Sequence, residues 1–227
     1  MDQDFWKDKK VIITGHTGFK GSWLSFLLTK LGSKICGISL NPEEESLFNH
    51  LSLEKKIFQH NIFNINDLAS IKPIFTKFKP DFVFHLAAQP LVRRSYSEPI
   101  LTWETNVIGS LKVLEATKSI EKKCVVIIVT TDKVYNNRNW EFGYRENDLL
   151  GGFDPYSSSK AALEMLVSSW RNSFCGDLPY QSTNIKVATA RSGNVIGGGD
   201  WALDRIVPDA IKAIISKQAV VVRNPNH

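Results

Sequence analysis

Tyr156-Ser157-Ser158-Ser159-Lys160 sets a phenol and an ammonium at i and i+4, on one face of a helix. A neighbouring ammonium stabilises a phenolate. The spacing therefore predicts a tyrosine that can take a proton from a hydroxyl, and a lysine that can also hold a ribose. The pattern arises often by chance, and a surface tyrosine beside a solvated lysine is the bland alternative. Thr131-Asp132-Lys133 places an acid and a base side by side. In water they form a solvated turn. In a dry site, a carboxyl kept protonated can donate to a leaving hydroxyl, and a lysine kept neutral can remove a proton. Gly15-His16-Thr17-Gly18-Phe19-Lys20-Gly21 is the third group. Glycines there let the backbone approach a pyrophosphate, whose charge the N-terminus of a following helix favours. The spacing is GxxGxxG rather than GxGxxG, so a purely structural turn is the alternative.

These groups can cooperate only if the fold brings them together. Strands are predicted at 10–14, 34–40, 54–62, 81–85, 124–130, 184–190 and 219–222, and helices at 19–31, 66–78, 99–118, 156–171 and 204–216. Phe19, Trp23, Leu24, Leu27, Leu28 and Leu31 recur at helical spacing, and Gly32 is placed to end that helix. Ile100, Trp103, Val107, Leu111 and Leu114 are expected on one stripe of the long helix. Asp154-Pro155 supplies an N-cap and a first-turn proline for the helix that carries Tyr156. The run 124–130 is so apolar that both faces must be covered, as in parallel sheets. Strands alternating with helices predict an α/β fold, a doubly wound parallel sheet of Rossmann-like type. The glycine loop and segments 85–89, 130–133 and 191–194 then all follow strands, whose carboxyl ends open on one crevice.

The 227 residues are 43% hydrophobic and 22% charged, which excludes a disordered, collagen-like or repeat chain. A net charge of +5 suits a phosphorylated small molecule. Lys and Arg are spread along the chain, which argues against a nucleic-acid partner. Cys36, Cys124 and Cys175 lack metal-like spacing, so no metal is expected, and they read as free thiols in a reducing compartment. The first residues lack a signal peptide's basic and apolar regions, and no apolar run approaches the ~20 residues that span a bilayer. A cytoplasmic protein without a membrane partner is expected. After the second strand, Ser39-Leu40-Asn41-Pro42 offers no arginine for a 2′-phosphate, which favours NAD over NADP.

Segments 14–24 (TGHTGFKGSWL), 89–96 (QPLVRRSY), 131–133 (TDK), 151–160 (GGFDPYSSSK) and 191–201 (RSGNVIGGGDW) resemble the extended short-chain dehydrogenase/reductase superfamily. Within it they are most similar to the CDP-glucose 4,6-dehydratases, from about residue 10 to the last. Asp-Lys after the threonine points the same way, since the dTDP-glucose dehydratases carry Asp-Glu there and the epimerases lack the pair. The resemblance implies a lyase that removes water from CDP-glucose by transient oxidation with bound NAD. The product would be CDP-4-keto-6-deoxyglucose, for deoxysugars of O-antigen-type polysaccharides. It implies that Tyr156, beside Lys160, takes the 4-hydroxyl proton while Thr131 hydrogen-bonds that oxygen. Lys133 would remove the C-5 proton and Asp132 would protonate the departing 6-hydroxyl. Cofactor contacts would fall on Gly15, Thr17, Gly18, Phe19, Gly21, Asn61, Ile62, Leu86, Ala87, Ala88, Asn106 and Thr130, with Tyr156 and Lys160. Asn61 stands where the family usually has an aspartate that meets adenine. Substrate contacts would fall on Gln89, Arg94, Asn194, Trp201 and Arg205. Residues 1–190 are expected to form the NAD-binding domain and 191–227 the start of a sugar-nucleotide lobe, because family chains continue well past this point.

Two other functions compete. One is a sugar-nucleotide 4-epimerase or reductase on the same fold, which has no use for an elimination acid/base pair. The other is an inactive NAD-binding module, against which Thr131, Tyr156 and Lys160 stand intact. The superfamily also pairs the helices equivalent to 99–118 and 156–171 across a two-fold axis. A homodimer or homotetramer is therefore expected, with Trp103 and Trp170 offering apolar area.

Overall fold

Six strands, all parallel, form one sheet in the order β3-β2-β1-β4-β5-β6. The structure is a computed structural model and describes residues 2–179 and 181–222. The strands are β1 (Lys10–Thr14), β2 (Lys34–Ser39), β3 (Gln59–Ile62), β4 (Phe82–His85), β5 (Cys124–Val129) and β6 (Ile185–Ala190). The helices are α1 (Gln3–Trp6), α2 (Phe19–Lys30), α3 (Leu47–His50), α4 (Leu68–Phe78), α5 (Val92–Ser97), α6 (Pro99–Trp103), α7 (Ser110–Thr117), α8 (Pro155–Phe174) and α9 (Ile206–Ile215). Strand order reverses between β1 and β4, which opens a crevice beyond their carboxyl ends.

Each face of the sheet has its own core. On one, Ile12, Val83, Val126 and Ile128 pack with Phe75, Leu114, Leu163, Val167 and Trp170. On the other, Val11, Ile13 and Ile35 pack with Leu28, Phe48 and Leu53. β5 is fully buried only at alternate residues, so its second face is less covered than its composition predicts. Asp154 caps α8 by accepting the Ser157 N–H at 3.0 Å, and Gly32, at φ +85°, ends the turn after α2.

Three predicted elements differ. The third strand is confined to β3, because Leu53–Lys55 turns as a 3-10 helix. Residues 219–222 join no strand and are exposed, and residues 223–227 of the expected second lobe lie outside the described residues. The long helix is continuous from α6 to α7 but passes through a π-helical segment, Glu104–Gly109. The wider turn rotates the register, so the expected single stripe splits. Leu114 is in the core, while Ile100 is 73% and Trp103 41% exposed. Trp170 is only 6% exposed, with the Lys118 ammonium 4.7 Å above its ring, and so offers no free apolar surface.

One close contact fixes the floor of the glycine loop. The His16 ring lies on Gly37 of β2, where a Cβ would come within 2.3 Å of the ring. Its Nε2 shares a 2.7 Å hydrogen bond with His60 Nδ1 of β3. Gly37→Ala is expected to destabilise the protein by about 1–3 kcal/mol through overpacking. Combining it with His16→Ala, which frees the space, should recover most of that loss. Urea midpoints of the two single variants and the double variant measure the coupling; simple additivity would show that the ring does not set the spacing.

Candidate active site

The crevice begins with three backbone segments packed too closely for side chains. Gly15 has φ +74°, and a Cβ on it would lie 2.7 Å from the Ala87 nitrogen. A Cβ on Gly21 would lie 2.0 Å from the Gly15 carbonyl oxygen. Only glycine lets the loop after β1, the loop after β4 and the first turn of α2 approach in this way. Gly18 is the N-cap of α2 and has no side chain to satisfy the first-turn N–H groups. Thr17 ties the loop to the end of β2, sharing a 2.7 Å bond with the Ser39 hydroxyl and donating to the Leu40 carbonyl at 3.0 Å. Leu86, Ala87 and Ala88 face the loop as half-buried residues, and the Ala87 N–H donates to the Thr14 hydroxyl at 3.3 Å. Unsatisfied amides at a helix N-terminus, walled by small residues, fit the pyrophosphate of a dinucleotide. Phe19 follows at the rim, half-buried. Asn61 turns into the sheet instead: its amide donates to the Gly37 carbonyl at 2.9 Å and accepts from Gln59 at 3.0 Å. Ile62 is left exposed at the rim.

Across the crevice, Thr131, Tyr156 and Lys160 converge. Tyr156 and Lys160 are both buried on α8, and the Lys160 ammonium donates to the Val129 carbonyl at 3.2 Å. Burial pushes Lys160 down to about 8, the Lys20 charge adds to this, and Glu164 opposes it. Burial also pushes the Tyr156 phenol above its ordinary value, with the Thr131 hydroxyl and the Arg205 charge working the other way. The sequence predicted a phenol drawn down by Lys160; in the folded protein desolvation outweighs neighbouring charge.

Asp132 and Lys133 follow Thr131 in a short 3-10 turn. Their side chains are 53% and 39% exposed and pair at 3.3 Å. The burial expected to keep one protonated and the other neutral is absent from this surface turn. Lys133 also donates to Asn194 Oδ1 at 3.3 Å, which brings the loops after β5 and β6 together.

Several predicted contact residues also make bonds within the protein that hold the site in place. Asn106, in the π-helical segment, accepts from the Gln89 N–H at 2.8 Å and donates to the Gln89 carbonyl and the Ser159 hydroxyl. The Gln89 side chain donates to Thr102 and Leu91 and accepts the Leu91 N–H. Thr130 donates to Glu164. Arg94 is exposed and paired with Glu98 at 2.9 Å, whereas its neighbour Arg93 reaches Asp204 at 2.7 Å. Trp201 accepts at its carbonyl from Lys212, and Arg205 pairs with Asp200 at 3.4 Å.

Sequence reasoning missed Glu164 and Arg191, which form a buried bidentate pair at 3.0 and 3.1 Å. Burial works to raise the Glu164 carboxyl, and hydrogen bonds from Arg191, Thr130 and Thr189 bring it below its usual range. The available signal was a carboxylate one turn after Lys160, flanked by Leu163 and Val167. It also missed Lys20 and Trp23 on α2, and Arg93.

Residues 12–185 match the family model described as GDP-mannose 4,6 dehydratase. The chain is 46% identical over 226 residues to CDP-glucose 4,6-dehydratase of Salmonella typhimurium, an alignment that covers 99% of this chain and 63% of that protein. It is 31% identical over 227 residues to dTDP-D-glucose 4,6-dehydratase of Dictyostelium discoideum, covering 94% of this chain and 50% of the relative. Among solved structures it is similar to UDP-N-acetylglucosamine 4-epimerase from Methanobrevibacter ruminantium, solved with UDP-N-acetylmuramic acid. There the TM-score is 0.77 and the identity 27%, over 94% of this chain and 64% of that one. The chain thus spans from half to just under two-thirds of the length of these relatives. With residues 12–185 lying under one family model and the crevice built from that model's own segment, the chain belongs to the GDP-mannose 4,6 dehydratase family.

Proposed function

We propose that the chain carries the cofactor side and the catalytic side chains of a sugar-nucleotide 4,6-dehydratase acting on CDP-glucose with bound NAD. The observation that carries this reading is the Asp132–Lys133 pair, at 3.3 Å, immediately after Thr131 and within reach of Asn194. An epimerase or reductase needs only the Thr131, Tyr156 and Lys160 group. The Salmonella relative's name supports CDP-glucose as the substrate.

The backbone amides at Gly18–Gly21 would hold the dinucleotide pyrophosphate, and Lys160 the nicotinamide ribose. Bound NAD would supply the hydride acceptor for C-4 and the donor for C-6. Tyr156 takes the proton of the sugar 4-hydroxyl, with Thr131 hydrogen-bonded to the same oxygen. The 4-ketone so formed acidifies the C-5 proton. Lys133 is then needed as a base and Asp132 as an acid. One proton moving from Lys133 Nζ to Asp132 Oδ1 converts the ion pair into an amine and a carboxylic acid with no change in net charge. Seating the sugar excludes water from the pair, and desolvation favours this neutral form. The amine removes the C-5 proton, and the acid protonates the leaving 6-hydroxyl. Residues 191–222 would carry the sugar-nucleotide side through Asn194, Trp201 and Arg205. Among the described residues, no helix is long and apolar enough to cross a membrane.

Self-association belongs to the same reading. Ile100, Trp103, Ile108 and Leu111 form an exposed apolar surface along α6–α7, where a second copy would pack. The unchanged chain is expected to scatter light as a dimer or tetramer at micromolar concentration, and Trp103→Glu as a monomer. A monomeric unchanged chain removes the claim.

Asp132→Asn keeps the shape but cannot deliver an acid proton. On mixing with CDP-glucose it should oxidise C-4 and then stall, showing reduced-nicotinamide absorbance. Loss of the 6-hydroxyl should slow by about 10²–10⁴. Tyr156→Phe should show no absorbance, because it blocks the earlier step. Turnover of Asp132→Asn at the unchanged rate would assign the acid elsewhere.

Lys160 links stability to pH. Its folded value, about 8, lies below the unfolded value of about 10.4. The unfolded chain therefore binds more protons between those values, and this group's contribution to stability rises with pH across that window. Lys160→Met is expected to stabilise the unliganded protein by about 2–3 kcal/mol at pH 7, with the gain vanishing by about pH 10.5. Urea unfolding at both pH values checks this, and equal stability of the two proteins at pH 7 would contradict the buried charge.

A further inference from the structure

Two motifs far apart in sequence, FKGSW in α2 and the glycine-rich segment after β6, meet at the mouth of the crevice. Trp23 donates its indole N–H to the Gly198 carbonyl at 3.0 Å. Gly197 lies on Phe19, whose Cζ would be 3.1 Å from an added Cβ. Gly199, at φ +82°, lies on Leu47 of α3, where a Cβ would come within 2.7 Å. Three successive glycines therefore run close over α2 and α3. The next residue, Asp200, is buried, and its carboxylate pairs with Arg205 at 3.4 Å. A continuous set of contacts thus links Trp23, Gly198, Asp200 and Arg205.

Lys20, one turn before Trp23 on α2, is half-buried and, among the described residues, has no ion pair or hydrogen bond. Burial, and then the Arg205 charge, push its ammonium below its ordinary value. Lys20 also stands in the first turn of a helix, where the helix dipole disfavours a cation. Asp200 offsets part of the Arg205 charge, but Lys20, at a positive helix end and within the field of Arg205, is favoured by a further anion that reaches both cations.

We infer that Trp23 is a positioning residue: its indole N–H fixes the 194–205 strap so that Arg205 and Lys20 together hold the diphosphate of the sugar nucleotide. The inference rests on the sugar-nucleotide reading and adds the residue that sets its geometry. Trp23 is partly exposed, so Trp23→Phe keeps an aromatic ring and the fold while removing the indole N–H.

Calorimetry with CDP and with NAD, and amide hydrogen exchange of residues 194–201, test the inference in the unchanged chain and in Trp23→Phe. The loss of one hydrogen bond should weaken CDP binding about three- to tenfold. NAD binding should stay within about twofold, and the strap amides should exchange faster in the absence of any ligand. Gly199→Ala, which displaces the strap from the other side, should reproduce all three effects. Lys20→Gln should weaken CDP binding and flatten its salt dependence while leaving strap exchange unchanged. Equal CDP affinity in Trp23→Phe overturns the inference. So does an equal loss of NAD affinity, which would assign Lys20 and Arg205 to the dinucleotide. An unchanged chain that binds neither ligand overturns the sugar-nucleotide reading and the diphosphate grip with it, whereas unchanged strap exchange in Trp23→Phe overturns the clasp alone.

Discussion

Glu164 sits one helical turn after Lys160 and receives four hydrogen bonds: one from Thr130 beyond β5, one from Thr189 in β6, and two from Arg191 beyond β6. A single carboxylate thereby locks two strand ends to one face of α8. That face also carries Lys160 and, a further turn back, Tyr156, so the rotation of the helix that aims both groups at Thr131 is set here. Both members of the Glu164–Arg191 pair are largely out of water. Taking away one partner would leave an uncompensated buried charge, at about 3–5 kcal/mol. Arg191 continues the network to the Tyr135 hydroxyl and the Glu146 carbonyl, so the loop between β5 and α8 depends on the same ion pair.

The fold was legible wherever a segment's own periodicity decides its structure. All six strands and the helices α2, α4, α8 and α9 follow from apolar spacing and end signals such as Asp154-Pro155 and Gly32. The π-helical segment was not legible, because nothing local marks it. Its stabilisation is tertiary: Asn106 reaches the backbone of Gln89 on one side and Ser159 on the other, and the helix widens to put the amide there. Helix α5 escaped for a different reason. Six residues with two arginines carry no stripe, and the helix is held by contacts such as the Ser95 hydroxyl accepting the Tyr156 N–H.

At the site, the order of strands and loops in the sequence speaks to which residues gather more readily than to what each does there. Thr131, Asp132, Lys133, Tyr156, Lys160 and Asn194 do converge, because parallel strands deliver their loops to one edge. Gln89 and Asn106 look like ligand contacts in a linear motif, yet their polar atoms are occupied by the protein. A motif records that a residue type is needed, and cannot say whether it faces a ligand or the loop beneath one. The same limit hid Trp23 and Lys20, whose partners lie about 180 residues away and whose purpose appears only when the strap is laid over α2.

Charge explains why the crevice departs from the sequence expectation of an easily ionised phenol. Lys160 and Tyr156 are both desolvated, and desolvation opposes their charged forms alike. Lys160 keeps a proton near neutral pH only by sitting close to its limit, with Glu164 helping and Lys20 hindering. Such an ammonium cannot by itself draw the phenol down. A phenolate needs a further positive charge nearby, and under the proposed reaction an oxidised nicotinamide would supply one. Under the proposed reaction, the buried tyrosine would stay protonated while the crevice lacks its cofactor and would give up its proton more readily afterwards. The same low-dielectric setting that raises the phenol makes that added charge count for more than it would in water. Under the proposed reaction, the sugar hydroxyl would then meet a usable base only in a protein that already holds the dinucleotide.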